Sequence, residues 1–151
     1  MAAWGEIEKS LNSCHSLFLE EIGEPQENVL RLLLLEAQHG DEAESMQVGG
    51  ATIKDLHRVQ PTVRSRTFEL IWHQYIVYAV TNESFGRPHG EEAEGSGRLL
   101  RHYSQSPLLD YVARTTVATK DYPGPYTHVR ILSENHIVDV VSTGIPSLHV
   151  R

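Results

Sequence analysis

The chain has 151 residues, 40% of them hydrophobic and 22% charged, and a formal net charge of −7; such a chain can bury one core without staples. The acidic balance repels nucleic-acid phosphates, no unbroken apolar run approaches the ~20 residues of a membrane span, and a single cysteine, Cys14, excludes an intrachain disulfide. Met1-Ala2-Ala3-Trp4-Gly5-Glu6 has no basic segment leading into an apolar one, so a cytoplasmic protein without a nucleic-acid or membrane partner is expected.

In chain order, residues 5–22 read as an amphipathic helix. Ile7, Leu11, Cys14, Phe18 and Ile22 recur at helical spacing, with Gly23 and Pro25 as the stop. Val29-Leu30-Arg31-Leu32-Leu33-Leu34-Leu35-Glu36 is apolar at nearly every position and reads as a central strand, a buried helix being the alternative. Residues 39–51 read as a polar connection with a short strand at 46–48, and 53–59 as an edge strand or loop, since Pro61 forbids a central place.

The densest β-branched and aromatic run is 67–82. Phe68, Leu70 and Trp72 alternate with Glu69, Ile71 and His73, then Tyr75, Val77 and Ala79 continue after a three-residue step. That slip predicts one strand bulged at His73-Gln74, or two shorter strands. Residues 85–98, with four glycines and one proline, read as a mobile loop.

Ser106 as N-cap, Pro107 at the first helical position and Asp110 in the first turn predict a second helix over 107–118. The end reads as a hairpin, 126–132 and 136–142, around Ser133-Glu134-Asn135. Without repeats or a linker, the expectation is a single-domain α+β protein over 1–151, a mostly antiparallel sheet covered by two helices.

No cofactor motif is present: there is no Gly-rich phosphate loop, dinucleotide fingerprint, His-Glu-x-x-His or Gly-x-Ser-x-Gly. Among nine histidines, His128 and His136 could approach Asp139 across the last hairpin, but 136 and 139 are three apart on a strand and face opposite sides, so no metal site is expected. Cys14 lies on the apolar stripe and reads as a buried structural thiol.

Two functional readings remain. Residues 20–44 hold eight acids (Glu20, Glu21, Glu24, Glu27, Glu36, Asp41, Glu42 and Glu44) against Arg31, a local −7. Acidic patches beside aromatic anchors suit a basic protein partner. The first reading is therefore a non-catalytic protein-binding domain, in its concrete form a bacterial immunity-type inhibitor of a basic toxin or nuclease. It would dock through Asp41, Glu42, Glu44, Glu91, Glu92 and Glu94, with Trp4, Trp72, Tyr75 and Tyr78 as candidate anchors. The second is a sheet-based pocket for an anion or small molecule, in a binding protein or enzyme, lined by Arg64, Arg66, His73 and His128. A homo-oligomer joined through partly exposed apolar strands is a third expectation.

Overall fold

The longest strand, β2 (Val29–Val48), is the axis of one antiparallel sheet. It pairs on one side with β1 (Ser16–Gln26) and on the other with β4 (Thr67–Trp72), which pairs in turn with β10 (Ser147–Val150). Past residue 37, β2 continues as a two-stranded ribbon with β3 (Ala51–Gln60). A second antiparallel sheet has the order β5-β9-β8-β7-β6, with β5 Val77–Asn82, β6 Glu94–Ser96, β7 Leu100–Gln105, β8 Thr127–Leu132 and β9 His136–Ser142. The helices are α1 (Trp4–Asn12) and α2 (Pro107–Thr115). The computed structural model describes residues 3–48, 51–60, 65–87 and 94–151, with 39–48, 51–60 and 94 described in their backbone alone.

The two sheets face each other across one core. Leu17, Leu19, Leu30, Leu32, Leu34, Phe68, Leu70 and Trp72 of the first pack against Leu100, Val129, Ile131, Val138 and Val140 of the second, and Ile7 and Leu11 of α1 close one side. The leucine run thus forms a central strand, as its apolar character demands. β1 touches the second sheet at successive points. Arg98, just before β7, donates to the carbonyls of Cys14 and His15, Glu134 N–H donates to Leu17, Asn135 binds Leu19, and Tyr75 and Tyr78 reach Glu24. Because these points run from β7 through the β8–β9 turn to β5, β1 crosses the second sheet's strands and does not follow them.

The α+β class is correct, but several elements differ from expectation. The helix read over 5–22 stops at Asn12, and 16–26 is a strand. Within the helical stripe lay a two-residue period: Leu17 and Leu19 are buried while Phe18 and Ile22 are only partly so. Pairing with β2 and capture of the helix end decide the competition. Asn12 Oδ1 accepts from the N–H groups of Leu99 and Leu100, and Arg98 donates to the carbonyl of Asn12.

The register slip at His73-Gln74 is a change of sheet. β4 ends in the first sheet and β5 begins in the second. The polar stretch 39–48 belongs to β2, and β7 and β10 are strands that the sequence pattern does not predict. In the expected mobile loop over 85–98, Glu94–Ser96 is a strand, and 88–93 lie outside the described residues. The helix read over 107–118 ends at Thr115. No helix among the described residues is long and apolar enough to cross a membrane.

Candidate functional site

Two polar constellations stand out, one sealed and one open. The sealed one lies on the face of the second sheet turned away from the core. Pairing places Tyr103, His128, Val141 and Val77 in one cross-strand row, and Arg101, Arg130, Asp139 and Ala79 in the next. The N-terminus of α2 sits over the first row. Ser106 Oγ lies 2.7 Å from His128 Nδ1, and His128 Nε2 lies 2.6 Å from Asp139 Oδ1. Arg130 donates to both Asp139 oxygens, at 2.8 and 3.2 Å, and the Tyr103 ring stacks on His128.

The network assigns the protons. The Asp139 carboxylate can only accept, so the His128 Nε2–H donates to it; with the ring in that tautomer, Nδ1 accepts from the Ser106 hydroxyl, whose oxygen accepts in turn from Leu109 N–H. Burial pushes the Asp139 carboxyl up, but the bonds from His128 and Arg130 outweigh it and hold the group below the ordinary aspartate range.

Ser, His and Asp in a chain invite a nucleophilic reading, and the geometry answers it. Ser106 is 1% exposed and His128 0%, so a substrate carbonyl has no path to Oγ. The hydroxyl is also committed to capping α2. The chain is inverted besides, with serine on Nδ1 and the carboxylate on Nε2, opposite to the usual serine-hydrolase arrangement. Its chemistry is that of a satisfied buried network which fixes α2 on the sheet.

The open constellation is the corner where the β1–β2 hairpin meets the chain between β4 and β5. The two-residue turn Glu27-Asn28 needs a left-handed residue, and Asn28 supplies it at φ 63°. Glu24 Oε1 accepts from Asn28 N–H at 3.0 Å and from the Tyr75 hydroxyl at 2.8 Å, and Oε2 from Tyr78 at 3.4 Å. The two tyrosines meet edge to face, 4.8 Å between centroids. The Glu24 carboxylate that accepts its proton, with burial, pushes Tyr75 up to about 12, and burial with the Glu24 charge raises Tyr78. Both therefore stay protonated and donating at neutral pH.

Beside this knot, Arg31 is held between Glu21 and Glu69, each at 2.7 Å. An open cleft of about 220 Å³ is lined by Glu21, Ile22, Gly23, Glu24, Pro25 and Arg31. Glu20, Glu21, Glu24 and Glu27 are all exposed around it.

The residues expected to line an anion pocket do not come together. Arg66 donates to both oxygens of the buried Glu36, with the Cys14 thiol 3.5 Å away. The Arg66 bond holds Glu36 below the ordinary range, whereas burial and Glu36 push Cys14 up to about 11, which leaves an unreactive thiol. His73 is exposed in the β4–β5 connection, His128 is buried in the second sheet, and Arg64 lies outside the described residues.

Of the acids expected to dock a partner, Asp41, Glu42 and Glu44 lie on β2 and Glu94 on β6, described in backbone alone, while Glu91 and Glu92 lie outside the described residues. In the ribbon register Ala43 faces His57 and Glu44 faces Leu56, and the register shifts on either side of this pair. Of the candidate anchors, Trp72 is buried in the core and Trp4 packs on His102 of β7.

Sequence reasoning missed both constellations as units, although the tight turn 133–135 dictates that 128 and 139 are diagonal neighbours across the hairpin. Among the described residues, no group of three His, Cys, Asp or Glu side chains is placed to hold a metal. Comparison of the chain with models of protein families, with curated proteins and with solved structures found no match.

Proposed function

We propose that the protein is a non-catalytic binding domain for a basic protein partner, of which an immunity-type inhibitor of a basic toxin or nuclease is the concrete form, and that it docks through the hairpin corner. One observation carries this reading: an exposed carboxylate, Glu24, is held in place by a turn amide and two tyrosine hydroxyls at the mouth of a cleft lined also by Glu21 and Arg31. A carboxylate already oriented loses little freedom when a lysine or arginine arrives. The surrounding glutamates draw a cation in, and a rigid tyrosine pair supplies contact area at low entropic cost. Asp41, Glu42, Glu44, Glu91, Glu92 and Glu94 add to the negative charge of the chain, and their part is to steer encounter with a basic partner more than to anchor it.

Calorimetric titration with a capped hexalysine peptide tests the ranking. Glu21→Gln with Glu24→Gln is expected to remove most of the affinity at low salt. Asp41→Asn with Glu42→Gln and Glu44→Gln is expected to remove less, since these acids act by long-range attraction, which falls off with distance and salt. Equal losses from the two variants, or none from either, would count against docking at the corner.

A further inference from the structure

The second sheet ends on β5, whose outer edge is paired to no strand among the described residues. Val77-Tyr78-Ala79-Val80-Thr81-Asn82 carries no charge and no proline, and it pairs with β9 without a register shift. It is also open to solvent: Ala79 and Asn82 are exposed, and Val80 is 43% exposed. A straight, uncharged, exposed edge is a template for another strand, and proteins ordinarily guard such edges.

The edges at the ends of the first sheet are guarded. β1 has two register shifts and carries Glu20, Glu21, Glu24 and Pro25. Part of its outer backbone is already taken: Asn135 Oδ1 accepts from Leu19 N–H, Asn135 Nδ2 donates to the Leu19 carbonyl, and Glu134 N–H donates to the Leu17 carbonyl. β10 has only four residues, with His149 within it and Arg151 just after.

We infer that the β5 edge receives an extended segment of the partner as an added strand, alternating basic residues with small or β-branched ones. The inference rests on the reading of the hairpin corner as a surface for a basic partner, and it names the form that partner takes. Charge decides the occupant. Tyr78 belongs to β5 and its hydroxyl bonds Glu24, so a strand laid on β5 passes the acidic hairpin. A second copy of this chain would bring two such corners together, each on a chain of net charge −7. A segment with lysine or arginine at alternate positions would instead set its cations on the face shared with Tyr78, toward Glu24 and Glu21. Its intervening residues would continue the row that ends in Ala79, where small side chains fit. Backbone bonds would supply affinity and the alternate charges specificity.

The test uses three short capped peptides alternating lysine with threonine: one unmodified, one N-methylated at every lysine and one at every threonine. The expected result is that one methylated form binds about tenfold or more weakly than the parent while the other binds like it, since only one edge of the added strand bonds β5. In the same titration the alternate amides of Val77–Asn82 that point away from β9 gain protection from exchange. If both methylated forms bind like the parent, edge pairing is wrong while the corner still reads cations. Should none of the three bind, both the edge and the docking reading fall. A free protein that sediments as a dimer, with the β5 amides already protected, would show the edge filled by a second copy and overturn the inference.

Discussion

The outer face of the second sheet and the hairpin corner both gather ionisable side chains, and they spend them in opposite ways. On the sheet face, Ser106, His128, Asp139 and Arg130 turn their hydrogen-bonding atoms toward one another under the end of α2. At the corner, Glu24 is held by three donors yet stays at the surface, with exposed glutamates around it. Residue types alone would have ranked the first as the active centre. Exposure reverses the order, because chemistry needs a group that a partner can reach.

If the sealed face is structural, breaking it must cost stability. His128→Ala would leave the Asp139 carboxylate and the Ser106 hydroxyl short of a buried partner, and is expected to destabilise by about 3–5 kcal/mol in urea unfolding. A near-neutral result would mean that water reaches the network and that the face is not sealed. Ser106→Ala removes a helix cap and one histidine partner together, with an expected loss of about 2 kcal/mol concentrated in α2, read as earlier exchange of the Asp110 and Thr116 amides, which donate to Ser106 and Val112. Asn135→Ala unfastens the edge of β1 and is expected to cost about 1 kcal/mol. Glu24→Gln, at the open corner, is expected to leave stability unchanged while weakening hexalysine binding. A large loss of stability there would erase the contrast between the regions.

The two regions are also expected to fail at opposite ends of the pH scale. Asp139 is held below its ordinary value, so its stabilisation is present above about pH 4 and is lost as pH falls through the lowered value. Tyr75 is pushed up to about 12, so its latch on Glu24 is intact below pH ~10 and is lost as pH rises toward that value. Tyrosinate absorbance should therefore appear late for Tyr75, and Tyr75→Phe should remove that late component, whereas acid should first release α2.

The parts legible in the sequence were those decided by neighbours along the chain. Ser106 and Pro107 marked the start of α2, and Ser133-Glu134-Asn135 marked the last turn, because caps and tight turns are local chemistry. The end of α1 was not legible. Nothing near Asn12 reveals that the backbone of Leu99 and Leu100, and the side chain of Arg98, will claim it. The break at His73-Gln74 was visible as a slip in alternation, but a bulge and a change of sheet leave the same trace in one strand's pattern. The candidate site was half legible. The acids of 20–27 and the tyrosines at 75 and 78 each stand out in the sequence, yet their meeting depends on β1 crossing the second sheet, which no local pattern encodes.

The proposed partner would meet this protein at the hairpin corner and not at the Ser106–His128–Asp139 face. Amide chemical-shift mapping with hexalysine tests it most directly. Shifts are expected to cluster at 20–27, 31 and 75–78, with 106, 128 and 139 unmoved. Shifts centred on those three positions, or spread evenly over the acidic surface, would contradict it.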